Sequence, residues 1–593
     1  MKLLRFLNDS IWIVVPLLSA MALGLGLHGS AADDPQGSTW DHLYRAIALF
    51  VIEDGGQANM TWSLNVARFM APLALALAAI LAFLNIFGAR LERFLLRFQS
   101  DHVVLCGLGA GALQLARDFK QRQPGRGLLI IDNGQAGDLL AEAEAERIPV
   151  LHGSAHGTEL LKTAGVPRAR HMVLLCDEDD DNIQGAAEVY RIHKASWQGT
   201  GSTLELALRI HDDALRARFM EHKIFLDQED AVEVKVFSTP ETIARLLLQQ
   251  HPLEITPAGK QAERIHLVVI GFGGLGQAVA REALFAGHYA NLRKLKLTVI
   301  DRDLRDAEER FRYRHPGLDK VAETEFITCE VNSASFDRLK FLAQPSPAGE
   351  KLTIAICLGG DVLNFSTALK ASSLLRAAGS SDHAKLLFKA RDNRGVAQLL
   401  KIHADAVSAQ LPPLLPFGMA EDECNYQNVI APGREEIART MHTKYFDNFI
   451  SRGKKAGAWA SLVPWPELPA HLQDSNRWQY EHLSVKIRLV DPRFADPGFA
   501  GNDLAQYAAK VSSMEFQEMV APHKSTMSRM EHERWSAEKW LTGWEYAAKR
   551  DDNNKLHPDL VPYDELAKDI QQLDANTVEN MTDWLDILRG QNH

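Results

Sequence analysis

Two uncharged apolar runs, Ile11 to Leu27 and Phe69 to Phe87, break an otherwise mixed pattern of apolar and polar positions. Each is about long enough to cross ~30 Å of hydrocarbon as a helix. Lys2 and Arg5 precede the first run, and Arg90, Arg93 and Arg97 follow the second. Basic flanks on the same side of a hairpin predict that both chain ends are cytoplasmic, with the intervening Asp33, Asp34, Asp41, Glu53 and Asp54 outside. A signal peptide ending in the small residues of His28-Gly-Ser-Ala-Ala is the rival reading. It fits less well, because the run exceeds a usual signal core, Asp9 sits where positive charge belongs, and a second span follows. From His102 onward the pattern changes to short β-branched apolar runs separated by helical periodicity, which predicts parallel sheets covered on both faces.

Between the two runs, Trp40 to Ile52 (WDHLYRAIALFVI) has a nearly apolar second half that Glu53-Asp54-Gly55-Gly56 interrupts. Helix, re-entrant helix, acidic glycine turn and helix is an order that resembles two-span potassium channels. Backbone at membrane depth must be satisfied by protein or by a water-filled cavity, so the resemblance implies a pore built by several subunits. The TVGYG carbonyl ladder of that family is absent. Glu53, Asp54, Gly55 and Gly56 are then the pore candidates, and a ring of their acids favours cations. An exposed acidic turn above a plain membrane anchor is the alternative.

The stretch His102 to Asp132 reads as a strand (HVVLCG), a glycine turn (Gly107, Gly109, Gly111), a helix (ALQLARDFKQRQ) and a second strand (GLLIID) closed by an acid. Gly107 permits a tight turn and Gly109 lets the backbone approach a pyrophosphate. The helix start beyond them offers unpaired N–H groups and a positive dipole to an anion. Asp132 sits where an acid hydrogen-bonds a ribose hydroxyl. Ala112 replaces the third glycine of a GxGxxG fingerprint. Strand signals continue as IPVLHGS, HMVLLCD, LELALRIHD and AVEVKVFS, and Asp177 to Asp181 reads as a solvated acidic loop at a strand end, with cation binding as the sharper alternative. Gly153, Leu160, Ala164, Gly165, Val166, Ala169, Asp181 and Asn182 fall on a pattern by which this lobe resembles TrkA-N, or RCK (regulator of potassium conductance), domains. Ser154 replaces the acid usual in that pattern.

At His266 the signals begin again, with a complete GxGxxG in Gly271, Gly273 and Gly276 and a strand, LKLTVID, ending in Asp301. EFITCEVNSASFDRLK, KLTIAICLGGDVLNFSTALKAS with Asp361 and Asn364, and AKLLFKARDN then recur in the same order. Repetition of several elements marks an internal duplication and outweighs either glycine turn alone. Two such lobes after a membrane hairpin resemble tandem-RCK potassium channels, in which the lobes of four subunits form a gating ring. The resemblance implies a homotetramer that passes monovalent cations, potassium among them. It also implies a nucleotide ligand, NAD or another adenine nucleotide (ATP, ADP or an ADP-ribose-like molecule), acting on the pore through the arginine-rich linker Ala89 to Asp101.

Composition narrows the field. A net charge of −11 and a pI near 6.1 argue against a polymeric nucleic-acid partner, which requires a clustered basic surface. Five cysteines without CxxC spacing predict buried reduced thiols and no metal site. An NAD-dependent oxidoreductase needs an acid or base facing the nicotinamide. No such constellation is evident, and Asp132 and Asp301 suit ribose contacts, so the chain is not expected to be an enzyme.

LPPLLPFG marks the exit from the second lobe, after which helical periodicity covers Arg434 to Phe449, Leu472 to Leu489 and Ser525 to Trp540. Met530, Trp535 and Trp540 are spaced to bury one face of the last of these. Glu531-His532-Glu533-Arg534-Trp535, Gly543-Trp544-Glu545-Tyr546, Asp551, Lys555, His557-Pro558 and Leu560 to Leu566 together resemble the RyR (ryanodine receptor repeat) domain. That resemblance implies recognition of a nucleotide-derived signal. Trp535, Trp544, Tyr546, Lys555 and His557 supply a stacking face and groups for phosphate, while core packing is the plainer role of the aromatics. His532-Glu533 is no HExxH zinc motif, since Ser536 stands where the second histidine would be.

The expected architecture is multidomain. A two-helix transmembrane hairpin with a re-entrant pore helix spans 1–100, α/β Rossmann-like RCK lobes span 101–258 and 259–410, and a mainly α module spans 411–593, with its RyR domain at about 521–590. The expected setting is the bacterial inner membrane. A membrane-anchored nucleotide sensor or anti-phage defence effector without a selective pore is the second reading.

Overall fold

The structure, a computed structural model, describes residues 2–51, 60–96, 99–134, 137–197, 203–221, 231–255, 262–380, 384–391, 414–430 and 433–590. The chain divides into two compact units, residues 1–102 with 158–169, and residues 103–157 with 170–593.

In the first unit, the helices Lys2–Asp33 and Trp62–Leu96 pack together, and their segments Ile13–Asp33 and Trp62–Phe83 are long and apolar enough to cross a membrane. Gly29 sets their approach: a Cβ there would lie 2.8 Å from the Leu64 backbone nitrogen and from Ser63 Oγ. The intervening apolar segment is a helix, Thr39–Ala48, followed by one 3-10 turn, Leu49–Val51. Ser38 starts the helix with a capping box, its Oγ accepting the Asp41 N–H while the Asp41 carboxylate accepts the Ser38 N–H. His42 and Ala46 face inward, with Ser30 Oγ 3.1 Å from His42 Nδ1, whereas Trp40, Tyr44 and Ile47 are exposed. Glu53, Asp54, Gly55 and Gly56 lie outside the described residues.

The second unit holds two sheets of six parallel strands. The first comprises β1 (Val103–Cys106), β2 (Leu128–Asp132), β3 (Val150–His152), β4 (His171–Leu174), β5 (Leu204–Arg209) and β6 (Val232–Phe237), in the order β3-β2-β1-β4-β5-β6. The second comprises β7 (Arg264–Ile270), β8 (Leu295–Asp301), β9 (Ala322–Thr328), β10 (Glu350–Ile356), β11 (Ala384–Lys389) and β12 (Leu414–Phe417), in the order β9-β8-β7-β10-β11-β12. Both are the doubly wound arrangement, so the expected duplication is one of topology as well as of sequence. Every residue of β1 and of β4 is buried, as strands covered on both faces require.

Two expectations change here. The sequence boundary at residue 410 is too early, because Leu414–Phe417 from the proline-rich stretch is the outermost strand of the second sheet. An edge strand pairs on one side only, which is why Pro416 is tolerated there. The acidic stretch is not wholly a loop either, since Asp179, Asp180 and Asp181 form the first turn of the helix Asp179–Ser196, where they complement its dipole.

The two lobes and the C-terminal helices share a core. The helix Thr239–Gln250, which follows β6, contributes Ile243, Ala244 and Leu247 to a cluster with Ala278, Val279 and Ala283 of the second lobe's helix Gly274–Ala286. Glu241 accepts a hydrogen bond from Arg281, joining the same two helices, and another from Arg216 on the helix Asp213–Glu221. The module beyond residue 433 contains the helices Gly433–Ser451, Ala470–Val490, Lys524–Leu541, Lys568–Glu579 and Met581–Gly590. Its Val485, Met530, Ala537 and Leu541 join the second lobe's cluster, and Trp478 stacks on Phe285 with ring centroids 3.9 Å apart. Arg488 Nε donates to Glu254 Oε1 at 2.5 Å, and both side chains are buried.

A buried ion pair is costly to break and cheap to replace. Arg488→Met is expected to destabilise the second unit by about 3–5 kcal/mol, because it leaves Glu254 charged and unpaired. The double variant Glu254→Leu/Arg488→Met should recover most of that loss, as read from thermal unfolding of the detergent-solubilised chain.

Candidate ligand sites

The two glycine turns are built alike. Gly107 has φ +90° and Gly271 φ +93°, a region closed to most side chains. A Cβ on Gly107 would lie 2.9 Å from the backbone of Leu175 and Cys176, and one on Gly271 would lie 2.8 Å from the Cys357 carbonyl. The leading glycine therefore lets the turn pass the end of the neighbouring strand. Gly109 and Gly273 differ, since a Cβ on either would meet nothing within 4 Å. They are the N-caps of the helices Ala110–Arg122 and Gly274–Ala286, and neither helix has a side-chain cap. First-turn N–H groups lack intrahelical partners, so two uncapped helix starts face open space as anion-binding ends. These turns fit the phosphates of a nucleotide.

Asp132 and Asp301 hold the turns in shape. Asp132 Oδ1 accepts the Leu108 N–H at 2.9 Å and Oδ2 accepts the Gly134 N–H at 2.8 Å. Asp301 Oδ2 accepts the Phe272 N–H at 2.6 Å and Oδ1 the Asp303 N–H at 3.2 Å. Each carboxylate keeps spare acceptor capacity, so a ribose hydroxyl would donate to an oxygen that the turn has already fixed. The remaining glycines serve packing: a Cβ on Gly276 would fall 1.9 Å from the Gly271 carbonyl oxygen, and one on Gly111 would fall 2.7 Å from Cys424 Sγ. Cys424 follows β12, so the chain leaving the second lobe returns to pack on the first lobe's helix Ala110–Arg122. Tyr426 N–H donates to Asp118 on that helix at 2.7 Å.

Across the switch point each lobe carries an asparagine clasp. Asn182 accepts the Cys176 N–H at 2.8 Å and donates to the carbonyls of Cys176 and Arg209. Asn364 accepts the Leu358 N–H at 2.8 Å and donates to the carbonyls of Leu358 and Lys389. Asp179 accepts the His211 and Asp212 N–H groups, and Asp361 accepts the Arg391 N–H. The sequence signals Asn182 and Asn364 by their equal distance from the strand end. It gives no signal for the partners on β5 and β11, which only the strand order brings alongside.

In the C-terminal module the structure gathers three of the five RyR candidates. His557 meets the Trp535 ring edge-on with centroids 4.9 Å apart, and meets Trp544 at 6.0 Å. His532 stacks against Trp535 at 5.8 Å, and Lys539 Nζ lies 5.2 Å from the Trp544 ring centre and 5.9 Å from that of Trp535. Trp544 and His557 are buried and Trp535 is half-buried. Tyr546 is 58% exposed and stands apart, while Lys555 is exposed and donates to the Thr542 carbonyl at 2.9 Å. Beneath the rings, Glu531 accepts from Lys486 and from Arg534, which also donates to Glu538 at 3.0 Å. Burial alone would raise the Glu531 carboxyl, but Arg534 and Lys486 overcome it and hold the group well below the usual carboxylate range. Glu531 and Arg534 belong to the sequence motif, whereas Lys486, Glu538 and Lys539 carry no motif signal, although Trp535 and Lys539 sit four apart on one helix.

The glycines separate structure from binding. Gly276→Ala is expected to lower the unfolding temperature by several degrees through its clash with Gly271, whereas Gly273→Ala should fold normally and weaken nucleotide binding, as differential scanning fluorimetry beside calorimetry would show. His557 titrates at about 4, because burial, then Arg550 and Lys539, disfavour its cation. The unfolded chain takes up that proton near 6.5. The stability contributed by neutral His557 is thus complete above pH 6.5 and is lost as pH falls toward 4. His557→Gln should flatten this part of the stability profile, measured by thermal unfolding between about pH 7 and 4.5.

Comparison with known proteins agrees with the motifs. The TrkA-N domain family matches residues 103–200 and the RyR domain family matches residues 508–589. No curated protein matches the chain. Among solved structures it is similar to GsuK bound to ADP, with 14% identity, a TM-score of 0.35, and coverage of 70% of this chain and 95% of that one. It is also similar to the GsuK channel bound to NAD, with 12% identity, a TM-score of 0.37, and coverage of 71% and 82%. Similarity to the GsuK RCK domain covers 55% of this chain and 74% of that one, with 13% identity and a TM-score of 0.32. The chain therefore contains a TrkA-N domain at residues 103–200 and a RyR domain at residues 508–589.

Proposed function

We propose that this chain is the subunit of an oligomeric, nucleotide-gated cation channel, potassium among its ions, with the RyR domain as a second sensing element. The observation that carries this reading is the pair of matched glycine turns, each with an uncapped helix start and a carboxylate-fixed loop, in a chain that also has two membrane-length helices. NAD, ATP, ADP or an ADP-ribose-like molecule suits these turns: diphosphate at the helix start, ribose at Asp132 or Asp301. The lobes then act as regulators rather than as an oxidoreductase. A ligand can drive gating only through different affinities for two states of the assembly, typically worth about 1–3 kcal/mol. The reading includes a homotetramer in the bacterial inner membrane with both termini cytoplasmic.

One observation favours a second reading. The segment between the spans lacks a TVGYG ladder, so the same lobes would suit a membrane-anchored nucleotide sensor or defence effector without a selective pore.

Native mass measurement and flux from potassium-loaded liposomes decide between them. A fourfold assembly whose flux changes at least severalfold with ATP, ADP or NAD is expected. A monomer or dimer without flux under any of these ligands would remove the channel reading. Glu53→Gln with Asp54→Asn should cut cation flux severalfold without changing nucleotide binding, and unaltered permeation would refute an acidic pore ring.

A further inference from the structure

An open cleft of about 750 Å³ lies in the C-terminal module, outside the ring cluster of Trp535, Trp544 and His557. One wall is the turn carrying Trp459. The other is the loop from Ala547 to Leu556, which joins the paired strands Glu545–Tyr546 and Leu556–His557. Its volume is within the range of about 300–1,000 Å³ typical of small-molecule sites.

The walls are prepared for a ligand. Trp459 Nε1 donates to the Tyr445 hydroxyl at 3.0 Å, and the Trp459 ring meets Phe449 edge-on with centroids 5.4 Å apart. Those contacts fix the indole without occupying the cleft. Across from it, Arg550 donates to both Asp552 carboxylate oxygens, from Nε at 2.6 Å and from Nη2 at 3.2 Å. Asp551 accepts the N–H groups of Asn553 and Asn554 and the Asn554 side-chain amide at 2.8 Å, and so shapes the loop. Hydrogen bonds from Asn554 and from Arg550 hold the Asp551 and Asp552 carboxyls below the usual carboxylate range, and Lys549 is exposed beside them. A flat ring, two fixed carboxylates and two cations share one cleft. The four charges cancel, so a bare phosphate gains little there. A molecule that also stacks and donates hydroxyl hydrogens gains more.

We propose that this cleft binds a nucleoside phosphate, with its base on Trp459, its ribose hydroxyls donating to Asp551 and Asp552, and its phosphate beside Lys549 and Arg550. The proposal rests on reading the module as a nucleotide sensor, and it moves the point of recognition from the buried ring cluster to this cleft. The ring cluster then supports the loop from below, since Leu556 lines the cleft while the adjoining His557 packs on Trp535 and Trp544.

The test photolabels the full-length, detergent-solubilised chain with 8-azido-ATP and maps labelled peptides by mass spectrometry. Label is expected on peptides containing Trp459 or the 547–556 loop. Excess ATP or ADP-ribose should displace it, and inorganic phosphate should not. Lys549→Glu, a surface change, should reduce this label at least tenfold while label at the two glycine turns stays unchanged. Trp459→Ala should do the same in a chain whose unfolding temperature is retained. Label confined to the glycine turns, or label near Trp459 that survives both substitutions, would overturn the cleft and leave the lobe reading standing. Label on the Trp535 helix alone would overturn the cleft and keep the sensor. A chain that takes no label anywhere would overturn both.

Discussion

In each lobe one carboxylate at the end of the second strand grips the N–H that follows the leading glycine, and the shape of the glycine turn depends on that grip. The bond from Leu108 to Asp132, and its counterpart from Phe272 to Asp301, pin the glycine turn to the sheet. With the turn pinned, the next helix starts at Gly109 or Gly273, where a Cβ would meet nothing within 4 Å among the described residues and the first-turn N–H groups lack intrahelical partners. The asparagine clasps close the opposite side of the crevice by fixing the ends of the fourth and fifth strands to one another. The groups at each turn are backbone N–H groups or carboxylates that backbone N–H groups already hold.

What the sequence reveals follows the range of the interactions. The glycine turns, their acids, the duplication and the two membrane-length helices are local patterns, and they are legible residue by residue. The clasp partners Arg209 and Lys389 are not, because strand order rather than spacing brings them to Asn182 and Asn364. Leu414–Phe417 reads as an exit segment because it lies in a proline-rich stretch, yet an edge position needs hydrogen bonds on one side only and so tolerates Pro416. The motif around Trp535 identifies the RyR domain, but burial decides its use. Trp544 and His557 turn inward while Tyr546 stays outside, a division that helical spacing cannot supply. Trp459 carries no motif at all; it gains meaning only when the loop of residues 547–556 lies opposite.

Charge inside the C-terminal module has a positional role. The layer of Lys486, Glu531, Arg534 and Glu538 is buried with its partners satisfied, and such layers rarely add net stability over apolar side chains of similar volume. They penalise every packing in which a partner is missing. The helices Ala470–Val490 and Lys524–Leu541 are thereby held in one register, which keeps Trp478 on Phe285 and His482 against the His288 carbonyl at 2.6 Å.

The core that joins Val279 and Leu284 of the second lobe to Met530, Ala537 and Leu541 of the module has a consequence for how this protein is divided. A family boundary near residue 508 records where a piece of sequence was inherited. It does not mark where a piece of chain can stand alone. Because the two pieces share an interior, separating them would expose on each the apolar surface that the other covers.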